Sequence, residues 1–221
     1  MITDGIVCID KPSGMSSFGV VARVRRVLSQ AAGRKVKVGH TGTLDPFATG
    51  LMILVVGSEC KRAAAYSKLD KVYTATIVLG TTSSTGDPEG ELTIVDHVQR
   101  PSIEDVRAVI RQFVGPIQQR PPVFSAVKIG GRRAYQRARA GEAVEMPTRQ
   151  VTVHSLELIE YAFPTLVITA HVSSGTYIRS LAADIGEALG TGAYCRELRR
   201  ESIADWQVSE ALSLEAMGID S

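Results

Sequence analysis

The densest group of chemically capable residues is Gly39-His40-Thr41-Gly42-Thr43-Leu44-Asp45-Pro46. Two glycines, a proline and short polar side chains favour a rigid turn with positive-φ options. Such a turn presents the Asp45 carboxylate either as a catalyst or, as is commoner for an isolated aspartate, as an Asx-turn or N-cap acceptor. The segment is no P-loop, because GxxxxGK[ST] and GxGxxG are both absent, and GHTG matches the GXXG loop of KH domains only weakly. A second group is Ser174-Gly175-Thr176-Tyr177-Ile178-Arg179. It sets a cation near a predicted helix N-terminus, where the macrodipole disfavours it. Arg179 is then either a tolerated surface charge or a charge with a task, such as pairing with a carboxylate. His40, His97, His154 and His171 show no HxxxH or HExxH spacing. Cys8, Cys60 and Cys195 show no CxxC spacing. Neither a metal centre nor a disulfide framework is expected.

The elements that must carry these groups are legible in the periodicity. GIVCID (5–10) predicts a short buried strand, and Ser16-Ser17 offers an N-cap to a helix. That helix gathers Val20, Val21, Val24, Val27 and Leu28 on one face and turns Arg23, Arg26 and Gln30 outward. The Asp45 loop leads into the apolar run Leu51–Val56. Residues 71–80 alternate as a strand with Tyr73, Ala75, Ile77 and Leu79 on one face. A turn-rich stretch then leads to a predicted strand at 92–96. Pro101-Ser102 starts a helix over about 103–114, striped by Ile103, Val106, Val109, Ile110 and Phe113. Residues 116–149, with four prolines, a Gly-Gly pair and basic residues, read as an exposed excursion. Strands at 151–160 and 165–172 follow, the first with its alternation slipping near His154 as at a β-bulge. A helix at 177–189, two strand-like pieces and a helix near 212–217 complete the chain. Runs of strands broken by a few helices predict an α+β fold with a largely antiparallel sheet.

Composition bounds the function. The chain has 221 residues, 44% hydrophobic and 22% charged, which fits one globular domain with a core of its own. The longest apolar stretch is far below the roughly 20 residues of a membrane span. The first residues lack the pattern of a secretory signal, and a reduced, cytoplasmic protein with no membrane partner is expected. Net charge is only +2, yet the cations cluster. Arg23, Arg25, Arg26, Arg34, Lys35 and Lys37 gather early, Arg132, Arg133, Arg137 and Arg139 mid-chain, and Arg196, Arg199 and Arg200 late. Such clusters fit either solvated faces or a phosphate backbone.

Six ordered blocks carry a more specific signal. They are Asp10-Lys-Pro-Ser-Gly-Met-Ser-Ser; Gly39 to Gly50, GHTGTLDPFATG; Lys71-Val-Tyr; Ser125-Ala-Val-Lys; Ser174-Gly-Thr-Tyr-Ile-Arg; and Gly192-Ala followed by Leu198-Arg-Arg. In this order, over about residues 5–206, they resemble the TruB family, synthases that isomerise uridine 55 of tRNA. The resemblance implies a mixed, mostly antiparallel central sheet flanked by helices, with residues of about 120–150 as a thumb-like RNA-binding insertion. It implies that Asp45 is catalytic, that Tyr73 packs against the target base and that Arg179 pairs with the aspartate. His40, Tyr177 and Leu198 fall at substrate-pocket positions, and Lys11 and Lys128 at motif lysines. It further implies a tRNA T stem-loop as partner, no cofactor, no metal and a monomer.

Two departures stand out. Where the family often has an acidic residue between two hydroxylated ones, this chain has Ser83-Ser84-Thr85. The family's bacterial members commonly continue into a C-terminal PUA domain, whereas about fifteen residues follow Trp206 here. A short form lacking that domain is the expectation. Other readings are an RNA-binding module without turnover, or an isomerase acting on another RNA such as ribosomal RNA.

Overall fold

The computed structural model describes residues 2–125 and 127–219, the side chains of Lys128, Arg133, Tyr135 and Arg139 excepted. In chain order the elements begin β1 (Gly5–Lys11), α1 (Ser17–Ala32), β2 (Val38–His40), β3 (Thr49–Val56), α2 (Ala63–Ser67) and β4 (Lys71–Leu79). Next come β5 (Thr81–Ser83), β6 (Leu92–Ile94), α3 (Ile103–Gln112), β7 (Gly115–Gln119), β8 (Lys128–Ile129) and β9 (Arg132–Arg133). The chain ends with α4 (Ala134–Arg139), β10 (Arg149–Ala162), β11 (Thr165–Val172), α5 (Ile178–Ala188), β12 (Ala193–Ile203) and β13 (Trp206–Gln207). Two compact units result, one of Met1–Thr74 with Leu198–Ser221 and one of Ala75–Glu197.

In the first unit β3 is the central strand. Every residue from Gly50 to Val56 is buried, so the unbroken apolar run is that of a strand covered on both faces. β1 pairs with it antiparallel from Gly5↔Val56 to Lys11↔Gly50, β2 pairs antiparallel near its end, and β12 pairs parallel through Arg199↔Thr49 and Arg200↔Gly50. Gly50 is required at that crossing. Its φ is +104°, and a Cβ there would lie 2.3 Å from the Arg200 carbonyl oxygen. α1 starts where Ser16 accepts from the Gly19 N–H at 3.1 Å and stops at Gly33 in the left-handed conformation. It buries Val20, Val21, Val24 and Leu28.

In the second unit the strand order is β12, β4, β11, β10, β7. β10 and β11 form a long antiparallel hairpin whose register shifts between Val153 and Ser155 and again between Leu158 and Glu160. β7 pairs antiparallel on the outer side of β10, from Arg149↔Gln119 to Val153↔Gly115. α3 opens with a reciprocal cap between Ser102 and Asp105 and buries Val106 and Ile110. Between β7 and β10 the chain makes an excursion holding the β8–β9 hairpin and α4, in which Glu142 bonds both Arg132 and Arg137, at 2.8 and 2.7 Å.

The α+β class and the largely antiparallel sheet agree with the expectation, as do α1, α3, α5, the alternation of β4 and the slip beside His154. Three expectations change. Residues 115–119 are a sheet strand, because β7 is an edge strand and so tolerates Pro116, which has no N–H to donate. The strand at 92–96 shrinks to an exposed three-residue piece, and the helix near 212–217 to a 3₁₀ turn at Glu215–Met217. In the first segment Leu92 and Ile94 stay exposed, so no core covers a longer strand. No helix among the described residues is long and apolar enough to cross a membrane.

Candidate active site

The loop between β2 and β3 carries Asp45, and nearly every neighbour of Asp45 is fastened. The buried Ser17 hydroxyl, in the first turn of α1, accepts from the Leu44 N–H and donates to the Leu44 carbonyl, both at 2.8 Å. The Lys11 ammonium, on a fully buried side chain, donates to the carbonyls of Met15 at 2.6 Å and Pro46 at 3.1 Å. Gly14 donates its N–H to the same Pro46 carbonyl, and Ser13 its hydroxyl to Phe47. Thr41 is buried and bonds Ile53, while the Ala48 N–H closes a turn on the Asp45 carbonyl at 3.2 Å. Asp45 itself is half-buried at the head of that turn. His40 ends β2 opposite Leu54 and is half-buried too.

Beneath the same loop lie two cations. Arg200 is almost fully buried and donates to the carbonyls of Leu51 at 2.6 Å and Gly42 at 3.1 Å. Lys71, also buried, donates to Ser67 at 3.0 Å and to Leu69. Burial first, and then the Arg200 charge, pull the Lys71 ammonium down to about 8. Tyr73 on β4 and Leu198 on β12 are buried in this unit as well. The late cationic cluster is therefore not a free phosphate-binding face. Arg200 is interior, and Arg199 forks onto Asp10 with contacts of 3.1 and 2.8 Å.

In the second unit Arg179 is the second residue of α5 and is buried. Its guanidinium donates to the Asp87 carboxylate at 2.6 Å, to the Thr85 carbonyl at 2.8 Å and to the Phe124 carbonyl at 2.9 Å. Asp87 is equally buried and accepts from the Thr85 hydroxyl at 2.5 Å and the Glu89 N–H at 3.0 Å. A buried cation at a helix N-terminus is tolerable only with such partners. Tyr177 is the N-cap residue of α5 and has no side-chain cap bond of its own. A cavity of about 360 Å³ opens beside Arg179, walled by Arg120, Pro121, Phe124, Met146, Ser180 and Asp184 among others. Burial, and then the Glu187 charge, push the Asp184 carboxyl up to about 6. Lys128 lies on β8, but its side chain is outside the described residues.

A loop held rigid around one carboxylate, and a buried arginine at a helix head, suit a reaction run by a single acid without a nucleotide cradle. Residues 25–178 match the family described as TruB family pseudouridylate synthase (N terminal domain). This chain belongs to that family. It is 44% identical to tRNA pseudouridine synthase B of Azoarcus sp. (strain BH72) over 98% of its own length and 70% of the relative's. The same identity holds to tRNA pseudouridine synthase B of Xylella fastidiosa (strain Temecula1 / ATCC 700964), over 97% and 69%. Among solved structures it resembles a chain of a Cbf5–Nop10–Gar1 complex at 28% identity and a TM-score of 0.74, covering 96% of this chain and 53% of that one. A chain of an H/ACA RNP bound to a substrate RNA containing 2′-deoxyuridine follows, at 26% identity and 0.71, covering 97% and 52%. The present chain thus spans about half the length of those solved chains.

TruB membership makes the chain a pseudouridine synthase. Sequence reasoning singled out Asp45 and Arg179 but not their supports. Asp87 was missed because Gly-Asp-Pro reads as a plain turn. It supplies a carboxylate from the same turn in which Ser84 replaces the acidic residue common in the family. In the sequence Ser17 offers only a helix cap and Gln119 lies in a stretch expected to be exposed, whereas both are buried, Gln119 against Tyr177. The Pro121-Pro122 that follows Gln119 was the available signal that a fixed boundary lay there.

Proposed function

We propose that this chain is a tRNA pseudouridine synthase that converts uridine 55, in the T-loop, to pseudouridine. The observation that carries the reading is 44% identity, over 97–98% of this chain, to enzymes named tRNA pseudouridine synthase B, with the Asp45 loop fastened by Lys11 and Ser17 of the first block. The target base is stacked in the T-loop, and flipping it out costs a few kcal/mol. Packing against an aromatic side chain returns about 1–3 kcal/mol per base, and Tyr73 takes that role, with His40, Tyr177 and Leu198 shaping the pocket.

In the isomerisation the bond from N1 to C1′ breaks, the uracil turns and a bond from C5 to C1′ forms. The proton lost from C5 is balanced by one gained at N1, so the atoms close without a redox cofactor. Asp45 acts as an ionised carboxylate at the sugar. The Lys11 ammonium donates to the Pro12, Met15 and Pro46 carbonyls and steadies the Asp45 loop beside the base. Arg179, anchored on Asp87, Thr85 and Phe124, holds the head of α5, and the basic excursion that includes Lys128 serves RNA binding.

The test is to incubate the protein with an unmodified tRNA transcript and map pseudouridine at nucleotide resolution. Modification at position 55 alone is the expected result. Modification only elsewhere, or only in ribosomal RNA, overturns the substrate assignment.

A further inference from the structure

Tyr177 is gripped by two residues that face each other across neighbouring strands. Gln119 ends β7, Arg149 begins β10, and the two are Cα partners in the register. The fully buried Gln119 amide meets the Tyr177 backbone twice. Its Nε2 donates to the Tyr177 carbonyl at 3.0 Å, and its Oε1 accepts from the Tyr177 N–H at 2.8 Å. The Arg149 guanidinium lies over the Tyr177 ring, 4.7 Å from its centroid, and donates to the Gly175 carbonyl.

These contacts do different work. α5 has no side-chain cap from its N-cap residue, so the backbone of Tyr177 takes its fixed partners from another strand. A primary amide matched to the N–H and the C=O of one residue fixes the two peptide groups on either side of the Tyr177 Cα, and burial makes any other arrangement costly. The guanidinium lies over one face of the ring as a cation–π contact, which restricts the plane of the ring. The same two residues bound the excursion of residues 120–148. Its first limb is tied to the head of α5 again, since the Ser180 hydroxyl donates to the Arg120 carbonyl at 2.9 Å and Arg179 to Phe124.

We infer that Gln119 and Arg149 are positioning residues for Tyr177. Gln119 fixes the peptide at the head of α5, and Arg149 fixes the ring so that one face meets the uracil. The inference rests on the proposed pocket role of Tyr177, and it makes the root of the excursion part of the machinery that orients the base.

A double-mutant cycle in the full chain tests it, with an unmodified tRNA transcript as substrate. Arg149→Ala lowers kcat about tenfold with KM changed less than about threefold, the pattern of a misplaced rather than a lost contact. Arg149→Lys recovers part of kcat, because an ammonium keeps the charge but not the planar stack. In a Tyr177→Ala background, Arg149→Ala has an effect below about twofold, since its target is gone. Fully multiplicative losses, or a change in KM alone, overturn the inference while leaving Tyr177 in the pocket. A Tyr177→Ala variant as active as wild type overturns the pocket role and the inference with it. For Gln119 the readout is amide exchange. In Gln119→Met the Tyr177 N–H exchanges at least about tenfold faster relative to amides in the middle of α5, having lost its acceptor. Unchanged exchange removes Gln119 from the role.

Discussion

The Arg179 guanidinium and the Asp87 carboxylate meet at 2.6 Å with both side chains about 95% buried, although 92 positions separate them in the chain. With both side chains so far from water, neither is easily removed alone. Asp87→Leu is expected to cost about 3–5 kcal/mol, the usual loss when one partner of a buried pair is left behind. The double variant Asp87→Leu/Arg179→Met should be the more stable of the two, since it leaves no unpaired charge, yet inactive. Urea denaturation of both variants checks the order. A single variant as stable as wild type would show that the pair contributes nothing.

Asp45→Asn is expected to abolish isomerisation while RNA affinity stays within several-fold of wild type. One carboxylate carries the chemistry, whereas backbone contacts carry most of the affinity. Single-turnover assays and a filter-binding titration read the two quantities separately. Comparable turnover in the Asn variant would remove Asp45 as the catalyst.

Ser17→Ala tests whether the loop must be held. The substitution strips the buried Leu44 N–H and carbonyl of their shared hydroxyl. A stability loss of about 1–3 kcal/mol follows from the unsatisfied groups. Because Leu44 precedes Asp45, kcat should fall more than KM rises. A destabilised variant with unaltered kcat would mean that the loop finds its geometry without Ser17.

Lys71 makes stability depend on alkaline pH, with a sign opposite to that of a stabilising lysine. Its ammonium is pulled down to about 8 in the fold from an ordinary 10.5, by burial and by Arg200. Between those values the unfolded chain holds a proton that the folded chain has given up, so stability rises with pH across that window. Denaturation midpoints of wild type and Lys71→Met, compared from about pH 7 to about pH 11, should diverge in favour of wild type as pH increases. A constant difference between the two proteins would rule out titration of Lys71.

Features that depend on near neighbours in the chain were legible in the residues alone. The apolar run from Leu51 to Val56 marked a buried segment, Ser16 could cap α1 because the N–H it accepts from lies three residues away, and the broken alternation at His154 announced a bulge. The block around Asp45 was equally legible, since its glycines and proline act on their own backbone. Tertiary structure alone decided the partners. Burial of Arg200 under Gly42, the union of Asp87 with Arg179, and the seat of Gln119 against Tyr177 join residues 58 to 158 positions apart. No periodicity records such distances. The desolvated side chains must find opposite charge or hydrogen-bond partners wherever folding brings them. Only the assembled sheet determines which carbonyl, carboxylate or amide that is.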